Sequence, residues 1–233
     1  KLWQRQGLMN VMRYANGIGI LPTHNFKDGS FARIDRIDGD TMLEGYKIGD
    51  SACFACAMSC GNICLVKRGK HVGTVTEGPE YESCAMLGSN LGVDDFGAIL
   101  KANQLCDELG IDTISTGNLI GAVIEGYEKG VISLDDLDGR AITWGDEDAI
   151  LELIRKIAYR EGIGDILAEL MARRGYARVQ TAVAFDDAWR EATEALAIGP
   201  LVADPVAGDG SFTRRGRART SPARRVTFIG RPL

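Results

Sequence analysis

The chain has 233 residues, 45% of them apolar and 25% charged, which is enough to bury one large core or two small ones and is unlike a disordered or fibrous composition. No run of eighteen apolar residues occurs, so no helical membrane span is present, and a net charge of −5 argues against nucleic acid as the main partner. Six cysteines behind an N-terminus without a secretory leader pattern read as metal ligands before disulfides, which implies a reducing, cytoplasmic setting. The chain opens without Met, directly on an amphipathic pattern, and so reads as a piece of something longer.

In chain order, Leu8, Val11, Met12 and Ala15 recur at helical spacing and predict a helix over Leu2–Asn16 that stops at Gly17 and Gly19. Pro22, Gly29 and Gly39 punctuate a loop, and a short helical stretch near Thr41–Tyr46 leads into the cysteine-rich segment. His71–Gly78 alternates and is β-branched, which predicts a short strand. Helices follow at Glu80–Leu87, at Asp94–Leu109 with an Asp cap and Gly110 as the stop, and from the Asp112 cap to Gly130. The clearest periodicity lies in "WGDEDAILELIRKIAYREG", where Ile150, Leu153, Ile154, Ile157 and Ala158 form one stripe ahead of Gly162. Gly164–Arg174 and Phe185–Gly199 read as two further helices. The expected fold is mainly α, with irregular loops that carry the chemistry and few short strands.

Ser211–Leu233 holds seven arginines and no acid; setting its +7 against the net −5 leaves −12 on residues 1–210. It has no helical or alternating period, so it reads as a poorly ordered or non-native end, with a nucleic-acid arm as the other reading. The domain expectation is therefore residues 1–175 as one helical unit and 176–233 as an incomplete segment, poorly ordered from about residue 200.

"SACFACAMSCGNIC" places Cys53, Cys56 and Cys60 in a Cys-x2-Cys-x3-Cys loop, followed by Cys64. Such a loop wraps three corners of an iron–sulfur cube, with the fourth ligand coming from elsewhere. Zinc is a second reading, weakened because there is no second Cys pair and the only histidines are His24 and His71. Reduced thiols packed as small hydrophobes are the third. Elsewhere, Asp112 in "DELGID" reads on its own as a helix N-cap and Asp107 as a solvated side chain. Glu77, Glu80 and Glu82 in "TEGPEYES" read as solvent-facing carboxylates.

Taken together, "CFACAMSCGN", "TEGPEYES", "LGSNLGVDD" and "ANQLCDELGIDTISTGN" resemble, in order and spacing, the tungsten-dependent aldehyde ferredoxin oxidoreductase family. "GILPTHNFKDG" upstream and "WGDEDAILELIRKIAYREGIGDILAE" downstream extend the likeness over about residues 5–170. The resemblance implies a helical middle domain and the start of a third, with the family's β-rich first domain outside this chain. It implies aldehyde oxidation to carboxylate at a tungsten–bispterin centre (molybdenum being the other metal weighed), with electrons passing through a [4Fe–4S] cluster to ferredoxin. Cys53, Cys56 and Cys60 fall on three cluster ligands; the fourth is expected far downstream, and Cys64, Cys84 and Cys106 fall on none. Asp107, Gly110 and Asp112 fall on the pterin loop Asp-x-x-Gly-Leu-Cys/Asp, with Ile111 in place of Leu. Glu82 falls on a general acid/base position that faces the metal, where burial is expected to raise its pKa. Its family histidine partner lies outside the matched stretch. Lys101 stands where some members carry a glutamate for a bridging iron, so no such iron site is expected. The partners implied are a small aldehyde, ferredoxin and, for the longer protein, a second copy in a homodimer, with neither nucleic acid nor membrane. The alternative is a stand-alone iron–sulfur electron-transfer or metal-binding module without a substrate site.

Overall fold

The computed structural model describes residues 2–174, 201–203 and 212–214. The chain is mainly helical, as its periodicity predicts. The expected N-terminal helix is broken into α1 (Leu2–Gln6), a 3₁₀ turn (Gly7–Val11) and α2 (Met12–Gly17). The break sits at Gly7, whose φ of +56° is left-handed and whose Cβ, were there one, would lie 2.5 Å from the Cys60 carbonyl. The tighter turn shifts the buried stripe, so Met9, Met12 and Ala15 enter the core while Leu8 and Val11 are only half-buried.

α3 (Gly39–Thr41) runs into a π-helical turn (Met42–Tyr46), then into β1 (Lys47–Ser51), β2 (Gly61–Leu65) and β3 (Val75–Glu77), an antiparallel meander in the order β1-β2-β3. The pairings Ser51↔Gly61, Ile63↔Glu77 and Leu65↔Val75 set its register. Asn62 and Cys64 alternate inward on β2, with Thr76 inward on β3. β1 and β2 were not expected from sequence, and the predicted strand shrinks to β3. The cysteine loop therefore joins two strands rather than following directly on the helical stretch expected near Thr41–Tyr46.

α4 (Tyr81–Leu87), α5 (Phe96–Leu109), α6 (Thr113–Glu128), α7 (Glu147–Tyr159) and α8 (Ile163–Arg174) complete the body. Asp95 caps α5 by accepting from the Gly97 and Ala98 amides, while Asp94 is taken up by Arg33 and Arg36. α4 packs closely on α6 because Gly117 has no side chain; a Cβ there would stand 2.5 Å from the Met86 carbonyl. α7 ends on Arg160 in the left-handed conformation, before the expected Gly162, and Arg160 pairs with Asp165 and Glu169 on α8.

One continuous core runs from Met9 to Leu170. Ile154 lies fully buried within it, on the helix that packs against α5 and α8. Ile154→Ala is expected to lower the unfolding free energy by about 2–5 kcal/mol, read by chemical denaturation, since a cavity is left behind. A loss below about 1 kcal/mol would place α7 outside the cooperative unit. The helix expected at Phe185–Gly199 lies outside the described residues. So does the arginine-rich tail apart from Phe212–Arg214 (β5), which pairs antiparallel with Leu201–Ala203 (β4).

Candidate cofactor and metal site

The Cys-x2-Cys-x3-Cys motif closes the β1–β2 hairpin, with residues 52–60 as its tip. The Cys56 amide donates to the Cys53 carbonyl at 3.0 Å, and the Ser59 hydroxyl to the Ser51 carbonyl at 3.3 Å. Ala55 and Ser59 take left-handed φ of +57° and +49° to make the tip close. Cys53 and Cys56 are exposed and Cys60 is half-buried.

The other three thiols are different chemically. Burial pushes Cys64 up to about 12 against the nearby Lys47 and Lys67. Burial likewise carries Cys106 to about 12, with Asp107 adding to the rise and a bond to Thr116 opposing it. Cys84 is fully buried, rises further for the same reason, and donates its S–H to the Ile37 carbonyl at 3.3 Å. The chain therefore divides its cysteines into three accessible thiols on one loop and three inert packing thiols.

Among the described residues no three Cys, His, Asp or Glu side chains converge as a metal-holding group. The loop thiols thus share a hairpin tip without sharing a centre. Thiols have no mutual attraction to gather them; coordination supplies that force. As a donor set, three accessible sulfurs on one short loop fit three corners of an iron–sulfur cube.

The second motif is the α5–α6 junction. Gly110, at φ +67°, ends α5 with open space around its missing Cβ, so only its backbone conformation requires glycine there. Its amide donates to the Asp107 carbonyl at 3.2 Å. Asp112 is the N-cap of α6 and accepts from the Ser115 amide at 2.6 Å, so its capping role is real. The Asp107 carboxylate is exposed, as expected of a solvated side chain, and is bonded as well. Its Oδ2 accepts from the Asn103 amide at 3.2 Å and faces the Thr76 hydroxyl at 3.4 Å. Partial burial pushes its pKa up, the Thr76 bond lowers it, and Glu77 and Glu108 raise it.

The three glutamates after β2 have three different fates. Glu77 leans on the base of the hairpin, where a Cβ on Gly61 would stand 2.7 Å from its Oε1. Glu80 accepts from the Leu8 amide at 3.3 Å; burial raises its pKa, the Leu8 bond lowers it, and Glu82 and Glu77 raise it. Glu82 is exposed, on the first turn of α4, which corrects the expectation of a buried carboxylate. It lines a cleft of about 260 Å³ with Asp112, over an apolar floor of Pro22, Ala85, Met86 and Ile114. The structure thus brings Glu82 and Asp112 together, while Asp107, Gly110 and the cysteine tip lie outside that lining. Lys101 donates to Gln104 at 2.9 Å. Sequence reading missed Asn103 and Thr76, whose only signal was an Asn one helical turn before Asp107.

Compared with known proteins, residues 1–178 match the family described as aldehyde ferredoxin oxidoreductase, domains 2 and 3. The chain is 42% identical over 166 residues to the tungsten-containing aldehyde ferredoxin oxidoreductase of Thermococcus kodakarensis, covering 71% of this chain and 27% of that one. The corresponding protein of Pyrococcus furiosus gives the same identity and coverage. An aliphatic sulfonate oxidoreductase, WOR-like subunit, of Pyrococcus furiosus is 40% identical over 118 residues, covering 51% of this chain and 19% of that one. Among solved structures, the active-site complex BamBC of benzoyl coenzyme A reductase with 1,5-dienoyl-CoA shares the fold at a TM-score of 0.57 and 17% identity. That match covers 85% of this chain and 27% of that one. The chain spans about a quarter of the length of the curated relatives it matches first.

Proposed function

The chain belongs to the aldehyde ferredoxin oxidoreductase family, and from that premise we propose that it is the cofactor-holding part of an enzyme oxidising small aldehydes to carboxylates. The observation that carries this reading is the shared cleft: Glu82 and the Asp112 end of the α5–α6 junction line one space of about 260 Å³ with an apolar floor. That is close to the lower end of small-molecule sites.

When bound, a tungsten–bispterin centre supplies the two-electron oxidation, and a [4Fe–4S] cluster carries the electrons onward to ferredoxin. The residues of this chain do the holding and the proton work. Asp107 and Asp112 offer carboxylate acceptors to the N–H donors of a pterin edge, and the Gly110 turn lets the backbone approach. Pro22, Ala85, Met86 and Ile114 offer an apolar surface to the aldehyde's carbon chain. Glu82 takes up, on a carboxylate oxygen, a proton released as the aldehyde and a water become a carboxylate. Cys53, Cys56 and Cys60 hold three corners of the cluster. The assembled protein is a cytoplasmic homodimer.

The test uses the full-length protein, purified without oxygen from tungstate-supplemented cells. Tungsten, iron and a pterin released on denaturation are expected together, with aldehyde-dependent reduction of a viologen dye. Protein that carries iron but releases no pterin would overturn the reading.

A further inference from the structure

Asn103 sits on α5 with 4% of its surface exposed, one turn before Asp107. Its Nδ2 lies 3.0 Å from the Thr76 hydroxyl, 3.1 Å from the Glu77 carbonyl and 3.2 Å from Asp107 Oδ2. Thr76 Oγ1 in turn lies 3.1 Å from the Glu77 carbonyl and 3.4 Å from Asp107 Oδ2. The orientation of the amide follows from its partners. A carbonyl and a carboxylate only accept, so the atom facing them is the nitrogen.

We infer that Asn103 is a positioning residue for the cofactor loop, holding the Asp107 carboxylate and tying it to β3. This rests on the reading of Asp107 as a cofactor-binding group. The amide's two hydrogens and the Thr76 hydroxyl hydrogen serve three acceptors: Thr76 Oγ1, the Glu77 carbonyl and Asp107 Oδ2. Removing Asn103 leaves one hydrogen for the last two, so at least one of these part-buried bonds is lost. The contact with Asp107 is within one helix, but those with Thr76 and Glu77 cross from α5 to a strand some 26 residues away. Glu77, on β3, is close enough to raise the Asp107 pKa, so its like charge pushes that carboxylate away from β3. The amide opposes that push. The same strand leans on Gly61, the residue after Cys60, so the tie reaches from the cofactor loop to the foot of the cysteine hairpin.

The test titrates 6-hydroxymethylpterin, followed by its fluorescence, into the wild-type chain, Asn103→Leu, Asp107→Asn and the double variant. Asn103→Leu keeps the volume and removes the donors. It is expected to weaken probe binding about tenfold, the scale of one hydrogen bond to a charged group. Asp107→Asn is expected to weaken binding too, and the double variant to bind no worse than Asp107→Asn alone, since Asn103 acts through Asp107. Wild-type affinity in Asn103→Leu, or losses that simply add, would overturn the inference and leave the cofactor-loop reading standing. No probe binding by the wild-type chain, or full binding by Asp107→Asn, would overturn that reading and the inference with it. Should Asn103→Leu lose helical content, exchange of the Asn103 side-chain NH₂ with solvent is read by NMR instead. Asp107→Ala is expected to speed that exchange, and no change would overturn the inference.

Discussion

Serine at Cys53, Cys56 or Cys60 is expected to abolish iron uptake during anaerobic reconstitution, while alanine at Cys64 leaves it unchanged. The hairpin tip offers these three thiols to solvent, whereas Cys64 points from β2 into the core with its thiol pushed up to about 12 by burial. A ligand must be a thiolate that reaches the metal, and burial denies Cys64 both conditions. Iron counting and EPR are the measurements. Because the family's fourth ligand is expected downstream of the matched stretch, the wild-type chain alone is expected to form a labile or three-iron cluster. Zinc binding without iron uptake would overturn the assignment, and so would equal iron loss on replacing Cys64.

Glu82→Gln, made in the full-length enzyme, is expected to lower turnover by about 10²–10⁴-fold, the range for one positioned acid/base group. The substitution keeps the shape of the side chain and removes the base. Glu82 is the glutamate suited to this role because the other two are committed elsewhere: Glu80 to the Leu8 amide and Glu77 against the hairpin base. Glu82 alone of the three lines the cleft, together with the Asp112 cap. Tungsten and iron content are expected to stay at wild-type values, which separates a chemical defect from a folding one. Full turnover in a metal-replete variant would leave Glu82 as a surface charge on α4.

Much of the helical framework was legible before the structure, since each long helix carries its own signals. α7 shows a stripe at helical spacing, α5 stops at Gly110, and α6 starts at the Asp112 cap. The errors fall where a distant residue decides. Asp94 looked like the cap of α5, but Arg33 and Arg36 engage it and Asp95 takes over. The N-terminal helix breaks because Gly7 must fit beneath the Cys60 carbonyl. β1, with Gly and Asp among its five residues, has little strand propensity and exists through its pairing with β2.

Of the candidate site, the motifs and their family resemblance were readable as residue types in order: thiols in a short loop, Asp–Gly–Asp at a helix junction, three glutamates on a turn. Sequence by itself determined the helices and that division of chemistry, because spacing along the chain is local information. Only the tertiary structure decided which carboxylate opens onto the cleft, which thiols are accessible and which amide holds Asp107. Those outcomes depend on burial and on hydrogen bonds between residues far apart in the chain. A side chain's protonation and reach are set by what surrounds it in space.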